Sequence, residues 1–143
     1  MPLQTLYYDN VTESSTVAKH ALGTVRYEQD KIYKYVLAGG TITANSACQW
    51  SARGTVVLFD GSGPGCGFTV TGRSSGDYFW MQTHGEVGSL DTETNITAVG
   101  YPLCVTNADG TTLCDLSAGS TQLGESVCAV LSSASGIAYL CGL

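Results

Sequence analysis

Short stretches of alternating apolar and polar residues, a pattern typical of β-strands, recur along the chain. Residues Thr24–Tyr27 and Lys31–Val36 are rich in β-branched and aromatic side chains, and the second stretch alternates tyrosine with lysine. The polar segment Glu28–Asp30 between them predicts a turn. Residues 23–37 are therefore expected to form a β-hairpin.

Further short apolar stretches, bounded by segments rich in Gly, Ser and Asp, predict more strands. They are Val56–Phe59, Phe68–Thr71, Tyr78–Met81 and the segments near 101–106, 111–116, 126–132 and 137–142. The second and third of these are expected to pair around a three-residue loop at Ser74–Gly76. Because no long segment has helical periodicity, the expected fold is all-β, a β-sandwich or β-barrel-like domain.

Two halves of the chain resemble each other. TITANSACQW at 41–50 is echoed by NITAVGYPLC at 95–104, and each half continues with a Gly-Thr pair, an apolar run and two apolar stretches around a Ser-Gly turn. We expect residues 23–143 to form a single domain from two related β modules, at approximately 41–85 and 95–142. The copies share turns and apolar strands but no catalytic side chain, which argues against an enzyme.

Residues 1–22 predict neither a strand nor a stable helix, and we interpret them as an extended N-terminal arm. Its apolar side chains are the candidate contacts to a partner; they are Leu3, Leu6, Tyr7 and Tyr8. Since an arm of this kind adds little to a core, removal of residues 1–20 is expected to leave the thermal transition nearly unchanged.

The composition narrows the classes of function. Only 13% of residues are charged, against about 25% in a typical domain, so part of the surface is expected to be covered by a partner or by other copies. The net charge of −6 argues against nucleic-acid binding. No apolar run is long enough to span a membrane, and MPLQTLYYDN does not resemble a secretion signal, so synthesis in the cytoplasm is expected.

The six cysteines form no CxxC pair, which argues against a zinc ribbon or a thioredoxin-like site. Most are expected to be buried thiols. One pair is predicted to be adjacent, because a turn at Asn107–Gly110, with the three-residue loop 108–110, places Cys104 opposite Cys114. The Cα atoms of such a pair lie about 4.5 Å apart, which a disulfide spans.

Other polar candidates carry weaker signals for chemistry. The glycine-rich segment 61–67 lacks the Lys-Ser/Thr of a phosphate loop, and Asp60 in a surface loop is at most a weak cation ligand. Cys66 is predicted to lie opposite His84 across the hairpin, but no orienting group or oxyanion hole is evident. No catalytic residue, metal ligand or cofactor is therefore predicted.

The strand and turn motifs GTVRY, KIYKYVLAGG, ITAN, VTG, SGDYFWMQTHG and IAYLCGL together span residues 22–143. In these motifs the chain resembles the small capsid decoration (cement, head-stabilising) proteins of tailed bacteriophages. The resemblance implies a structural virion protein on the capsid exterior, which binds the major capsid protein as a homotrimer and stabilises the head by bridging subunits. From charge and hydropathy, no nucleic-acid or membrane partner is expected.

Two other functions stay open at the level of sequence. An exposed row of aromatic side chains, drawn from Tyr33, Tyr35, Trp50 and Tyr78–Trp80, would suit a carbohydrate- or receptor-binding β module of a phage tail or spike, although strand placement favours a hydrophobic core. A small enzyme would have to use Cys66 and His84.

Overall fold

The described residues contain strands and loops. The computed structural model describes residues 8–60, 62 and 65–87, and the backbone of five strands between 103 and 141. In chain order, the strands are β1 (Ser14–Ser15), β2 (Val25–Glu28), β3 (Lys31–Ala38), β4 (Ser46–Ala52), β5 (Thr55–Leu58), β6 (Gly65–Thr69), β7 (Tyr78–Val87), β8 (Leu103–Val105), β9 (Leu113–Asp115), β10 (Thr121–Gln122), β11 (Val127–Ser132) and β12 (Ile137–Cys141). This part of the chain contains no helix, and the predicted all-β class is confirmed.

Strands β3 to β7 close into a small barrel. β7 pairs with β6, β6 with β4, β4 with β5, β5 with β3, and β3 returns to β7. Only the β3–β5 pair in this ring is parallel. Outside the ring, β2 pairs with β3, and the β11–β12 hairpin pairs with β7 through β12. Of the two predicted architectures, the barrel is the one observed.

The β3–β7 pair buries side chains on both of its faces. Along each strand, alternate residues point to opposite faces. The barrel interior contains Val36, Ala38, Ile42, Cys48, Val56, Cys66, Phe79 and Met81. On the other face, Tyr33, Tyr35 and Trp80 form a second buried cluster, against which Val11 packs. The outer face of the barrel wall is therefore covered here by the N-terminal segment.

The first predicted hairpin is confirmed. β2 and β3 are antiparallel, with Val25 opposite Lys34 and Glu28 opposite Lys31. The turn between them requires a positive φ of 54° at Gln29. β4 is not among the predicted strands because its sequence, SACQWSA, mixes small and polar residues that have no clear strand signal.

β6 and β7 are antiparallel in the register that a three-residue loop at Ser74–Gly76 predicts, but the tight hairpin itself does not form. Phe68 does lie opposite Gln82, but β6 ends at Thr69, and Arg73 pairs instead with Ile42. The strands that flank β7 explain why β6 is shorter than predicted. β3 occupies one edge of β7 next to Phe79, and β1 occupies the other edge, with Ser14 opposite Phe79. The N-terminal segment thus takes the place that a longer β6 would have filled.

The described strands of the second half of the chain belong to two sheets. β8 pairs with both β9 and β10 in a three-stranded sheet, much as β4 pairs with both β5 and β6. However, β11 and β12 extend the barrel sheet and not this small sheet. The origin of the chain from two related modules therefore stays a prediction.

The predicted register of the β8–β9 pair is observed, with Cys104 opposite Cys114 and Val105 opposite Leu113. The loop Asn107–Gly110 lies outside the described residues. Cysteines that face each other across an antiparallel pair are close enough for a disulfide.

We therefore predict that mild oxidation links Cys104 to Cys114. Peptide mapping by mass spectrometry under non-reducing conditions should recover the linked peptides, and Cys114→Ser should leave Cys104 open to alkylation. The buried thiols of Cys48 and Cys66 provide an internal control, because they should stay unlinked. Alkylation of Cys104 in the oxidised wild-type protein would contradict the prediction.

Close approach of β6 to β7 depends on Gly67. A Cβ atom at this position would lie 2.6 Å from the carbonyl oxygen of Gln82 and 2.9 Å from the sulfur of Met81. The first contact is with backbone, which has little freedom to move away. Gly40 is a matched position, since a Cβ atom there meets nothing within 4 Å.

Replacement Gly67→Ala is expected to lower the free energy of unfolding by about 1–3 kcal/mol, because it overpacks the barrel wall. Gly40→Ala should change it by less than about 0.5 kcal/mol, as for most surface substitutions. Urea unfolding of the two variants measures the difference. Equal stabilities would mean that β6 and β7 separate at no cost.

Candidate functional site

The N-terminal segment is fastened to the barrel by the carboxylate of Asp9. Its Oδ2 accepts a hydrogen bond of 2.8 Å from the indole Nε1 of Trp80, and its Oδ1 lies 2.9 Å from Nε2 of His20. The Asp9 side chain is only 8% exposed. A carboxylate is an acceptor only, so His20 donates through Nε2. This cluster joins the N-terminal segment to strand β7, 71 positions away in the sequence.

Aromatic and cationic groups surround this carboxylate. The His20 ring lies edge-on to Tyr35 at 5.0 Å and tilted against Trp80 at 5.1 Å. Arg26 stacks over Trp80 at 5.5 Å and donates through Nη1 to the main-chain oxygen of Asp9 at 2.7 Å. Arg26 also donates through Nη2 to Glu28. The negative charge of Asp9 is thus compensated within the cluster.

Burial raises the pKa of Asp9, but the hydrogen bonds from Trp80 and His20 outweigh it and hold the pKa below the ordinary value of 3.8. The carboxylate is therefore ionised at neutral pH.

Arg73 makes a second connection between the segment and the barrel. Its side chain is 5% exposed and lies over the ring of Phe79 at 4.9 Å. Nη1 donates to the main-chain oxygen of Thr12 at 3.1 Å. Nε is buried without a hydrogen-bond partner in the described residues. Burial lowers the pKa of this guanidinium, with the charge of Asp77 acting against that effect.

Exposed apolar side chains are concentrated in the N-terminal part of the chain. Among the described residues, the large exposed apolar side chains are Tyr8, Val17, Leu22, Val25, Tyr27 and Val70. All but Val70 belong to residues 8–27, and Tyr8 and Tyr27 are 95% and 74% exposed. Of the predicted partner contacts, Tyr8 is thus an exposed side chain, whereas Leu3, Leu6 and Tyr7 lie outside the described residues.

Cys66 and His84, the pair that the alternative enzyme function would have to use, do not have the chemistry of a nucleophile and base. The thiol of Cys66 lies in the barrel interior, 3.4 Å from the main-chain oxygen of Cys48 and 3.7 Å from the sulfur of Met81. Burial raises the pKa of Cys66, and it raises that of Cys48 to about 12. A nucleophilic cysteine needs a lowered pKa. Backbone pairing places His84 opposite Ile32 and Cys141.

The aromatic side chains serve mainly as core. Tyr33, Tyr35, Phe79 and Trp80 are all buried. Trp50 is only partly buried, and Nζ of Lys34 lies 5.6 Å from the centre of its ring. The described aromatic residues on these strands therefore do not form an open stacking platform.

Asp60, considered from the sequence as a weak cation ligand, accepts hydrogen bonds from neighbouring residues of the protein. Its Oδ1 accepts from the hydroxyl of Ser62 at 2.6 Å, from the Ser62 amide at 2.8 Å and from Nε2 of Gln49 at 2.8 Å. The hydrogen bond from the Ser62 hydroxyl is the main reason that the pKa of Asp60 is lowered. This oxygen organises the loop after β5.

Two further properties concern the described part of the chain only. It contains no cluster of three or more His, Cys, Asp or Glu side chains that would hold a metal ion. It also contains no helix with the length and hydropathy needed to cross a membrane.

Comparison of the sequence with known protein families and with curated proteins finds no match.

Sequence reasoning missed Asp9 and Arg26 as parts of a site. Asp9 and Trp80 are 71 positions apart, and no local motif connects them. The nearest sequence signal is Trp80 itself, because a buried indole N–H requires an acceptor.

Replacement Asp9→Asn is expected to lower the free energy of unfolding at pH 7 by about 1.5–3 kcal/mol, the usual worth of hydrogen bonds to a charged group. The folded-state pKa is below the unfolded value, so the contribution of the carboxylate is fully present above about pH 4 and is lost as the pH falls through the folded pKa. The difference between wild type and variant should therefore shrink in strong acid.

Urea unfolding at several pH values measures this difference. Glu13→Gln is the control, because the Glu13 carboxylate is 56% exposed and its ion pair with Lys19, at 3.9 Å, contributes little. A difference between wild type and Asp9→Asn that is independent of pH would show that the charge of Asp9 is not what stabilises the segment.

Proposed function

We propose that this protein is a structural virion protein that binds the outer surface of a phage capsid and stabilises it by bridging major capsid protein subunits. The observation that carries the proposal is the concentration of exposed apolar side chains on residues 8–27. Exposed apolar surface of this kind is what a protein partner buries. The strand and turn motifs that resemble capsid decoration proteins lead to the same partner.

The chemistry of the exposed residues suits a protein–protein contact. Tyr8 and Tyr27 are 95% and 74% exposed, and tyrosine is enriched in the centres of protein interfaces. The candidate contacts Leu3, Leu6 and Tyr7 precede Tyr8 directly in the sequence.

The barrel suits the role of a rigid support for these contacts. Its interior is closed by paired strands, and residues 9–20 are tied to its outer face through Asp9 and Arg73. We propose a homotrimer on the capsid exterior, because several linked copies bind a repeating surface far more tightly than one.

The rival functions have less support. A carbohydrate-binding platform would need accessible aromatic faces, but Trp80 is 2% exposed and Lys34 lies over Trp50. An enzyme based on Cys66 would need a thiolate, and burial raises the pKa of that thiol.

Substitutions at the exposed tyrosines test the proposed surface. Tyr8→Ser and Tyr27→Ser are each expected to weaken binding to decoration-free phage heads about tenfold, equivalent to about 1.4 kcal/mol. Co-sedimentation with heads assembled from the cognate major capsid protein measures the affinity. Val70→Ser is the control for a general loss of exposed apolar area, because Val70 is 48% exposed and lies outside residues 8–27 in the sequence. Unchanged binding by both tyrosine variants would exclude this surface.

Truncation separates the capsid contact from stability. Removal of residues 1–7 should weaken head binding and leave the thermal transition nearly unchanged. Removal of residues 1–20 should instead lower the transition temperature, contrary to the expectation from sequence, because it deletes Asp9, His20 and β1. Full head binding by the shorter truncation would assign the contact to other residues.

A further inference from the structure

A groove of about 810 Å³ opens beside β3, at the point where the strand paired with one of its edges changes from β2 to β5. One edge of β3 pairs with β7 over residues 32–37. On the other edge, β2 pairs as far as Lys34, and β5 begins opposite Leu37. The groove lies at this change of partner and is lined by Leu22, Gly23, Lys34, Trp50 and the turn 52–54.

The groove concentrates positive charge on an acidic protein. The chain has six basic residues and a net charge of −6. Two of those six, Lys34 and Arg53, line the groove, and its described lining contains no carboxylate. Neither cation forms a salt bridge within the described residues. Clustered cations above a low-dielectric wall attract an anionic ligand.

Apolar surface lies beside these charges. Leu22 is 43% exposed, and Trp50 is partly buried with Nζ of Lys34 at 5.6 Å from its ring centre. The ammonium group lies over one face of the indole, so a planar base or sugar would have to displace it to stack there. A carboxylate needs no such displacement, because it pairs directly with the cations.

We propose that this groove binds an acidic segment of a partner polypeptide. A carboxylate of the segment pairs with Arg53 and Lys34, and a neighbouring apolar side chain packs against Leu22 and Trp50. The volume exceeds what a single carboxylate fills and lies in the range of about 300–1,000 Å³ that is common for ligand sites. A nucleic acid is disfavoured, since the Lys34 ammonium group covers the Trp50 face on which a base would stack. The inference does not rest on the proposed capsid role.

The test uses the whole protein, labelled with ¹⁵N, and the peptide acetyl-Gly-Glu-Leu-Glu-Gly-amide. The two tryptophans give two indole N–H signals, which Trp50→Phe assigns. At about 1 mM peptide, the signal of Trp50 should shift and that of Trp80 should not. The Gln counterpart of the peptide should bind at least about fivefold more weakly, and the shift should decrease with salt.

Variants identify the cations responsible. Arg53→Ala and Lys34→Ala should each weaken peptide binding about five- to tenfold, a typical loss for a partly exposed charge pair. Lys19→Ala removes the same charge elsewhere, from a side chain that is 48% exposed, and should have no effect. Arg53→Glu should reverse the preference toward a Lys-containing peptide. The unshifted Trp80 signal reports that each variant is folded.

Several outcomes would overturn the proposal. One is an unshifted Trp50 signal, and another is equal binding of the Glu and Gln peptides. A shift caused by a single-stranded oligonucleotide but not by the peptide would assign the groove to nucleic acid. A Trp50 signal that changes with protein concentration alone, together with dimers in analytical ultracentrifugation, would assign it to a second copy. None of these results bears on head binding, so this proposal and the capsid role fail separately.

Discussion

Burial of both faces of the β3–β7 pair is the constraint on which the rest of the structure depends. This pair closes the barrel, and its alternating side chains form the interior on one side and the Tyr33, Tyr35 and Trp80 cluster on the other. A closed five-stranded ring covers only its own interior. The second cluster therefore needs a cover, and the N-terminal segment supplies it through Val11 and His20. Without that segment, the rings of Tyr35 and Trp80 would face water.

The cover is held by polar groups whose geometry is specific. Removing a carboxylate from water costs several kcal/mol unless hydrogen bonds compensate it. Asp9 has such bonds from Trp80 and His20, and Arg26 lies nearby. This arrangement sets the position of the segment on the barrel wall, which burial of apolar area alone does not do. It also accounts for the path of the chain, because β1 on the edge of β7 ends the pairing of β6 early.

In the proposed role the barrel supports the contact residues, which lie within residues 8–27 and around the groove. The barrel interior offers no reactive thiol at Cys48 or Cys66. Both side chains are buried among apolar residues, and burial raises the pKa of both. Leu22 belongs both to the exposed apolar residues and to the basic groove. The proposed capsid-contact residues and the proposed acidic-segment site therefore adjoin on the chain, so a single partner is able to use both.

Local pattern determined the all-β class, the β2–β3 hairpin and the register that places Cys104 opposite Cys114, because alternation and turn chemistry act between residues close in sequence. Long-range pairing determined what the sequence did not reveal. Closure of β3 onto β7, strand β1 and the Asp9–Trp80 bond join residues 41 to 71 positions apart, and no periodicity records such contacts. The same holds for the groove, whose cations Lys34 and Arg53 come together only because β3 exchanges β2 for β5. Sequence thus determined most of the strands, and tertiary structure decided which strand edges and which polar side chains meet.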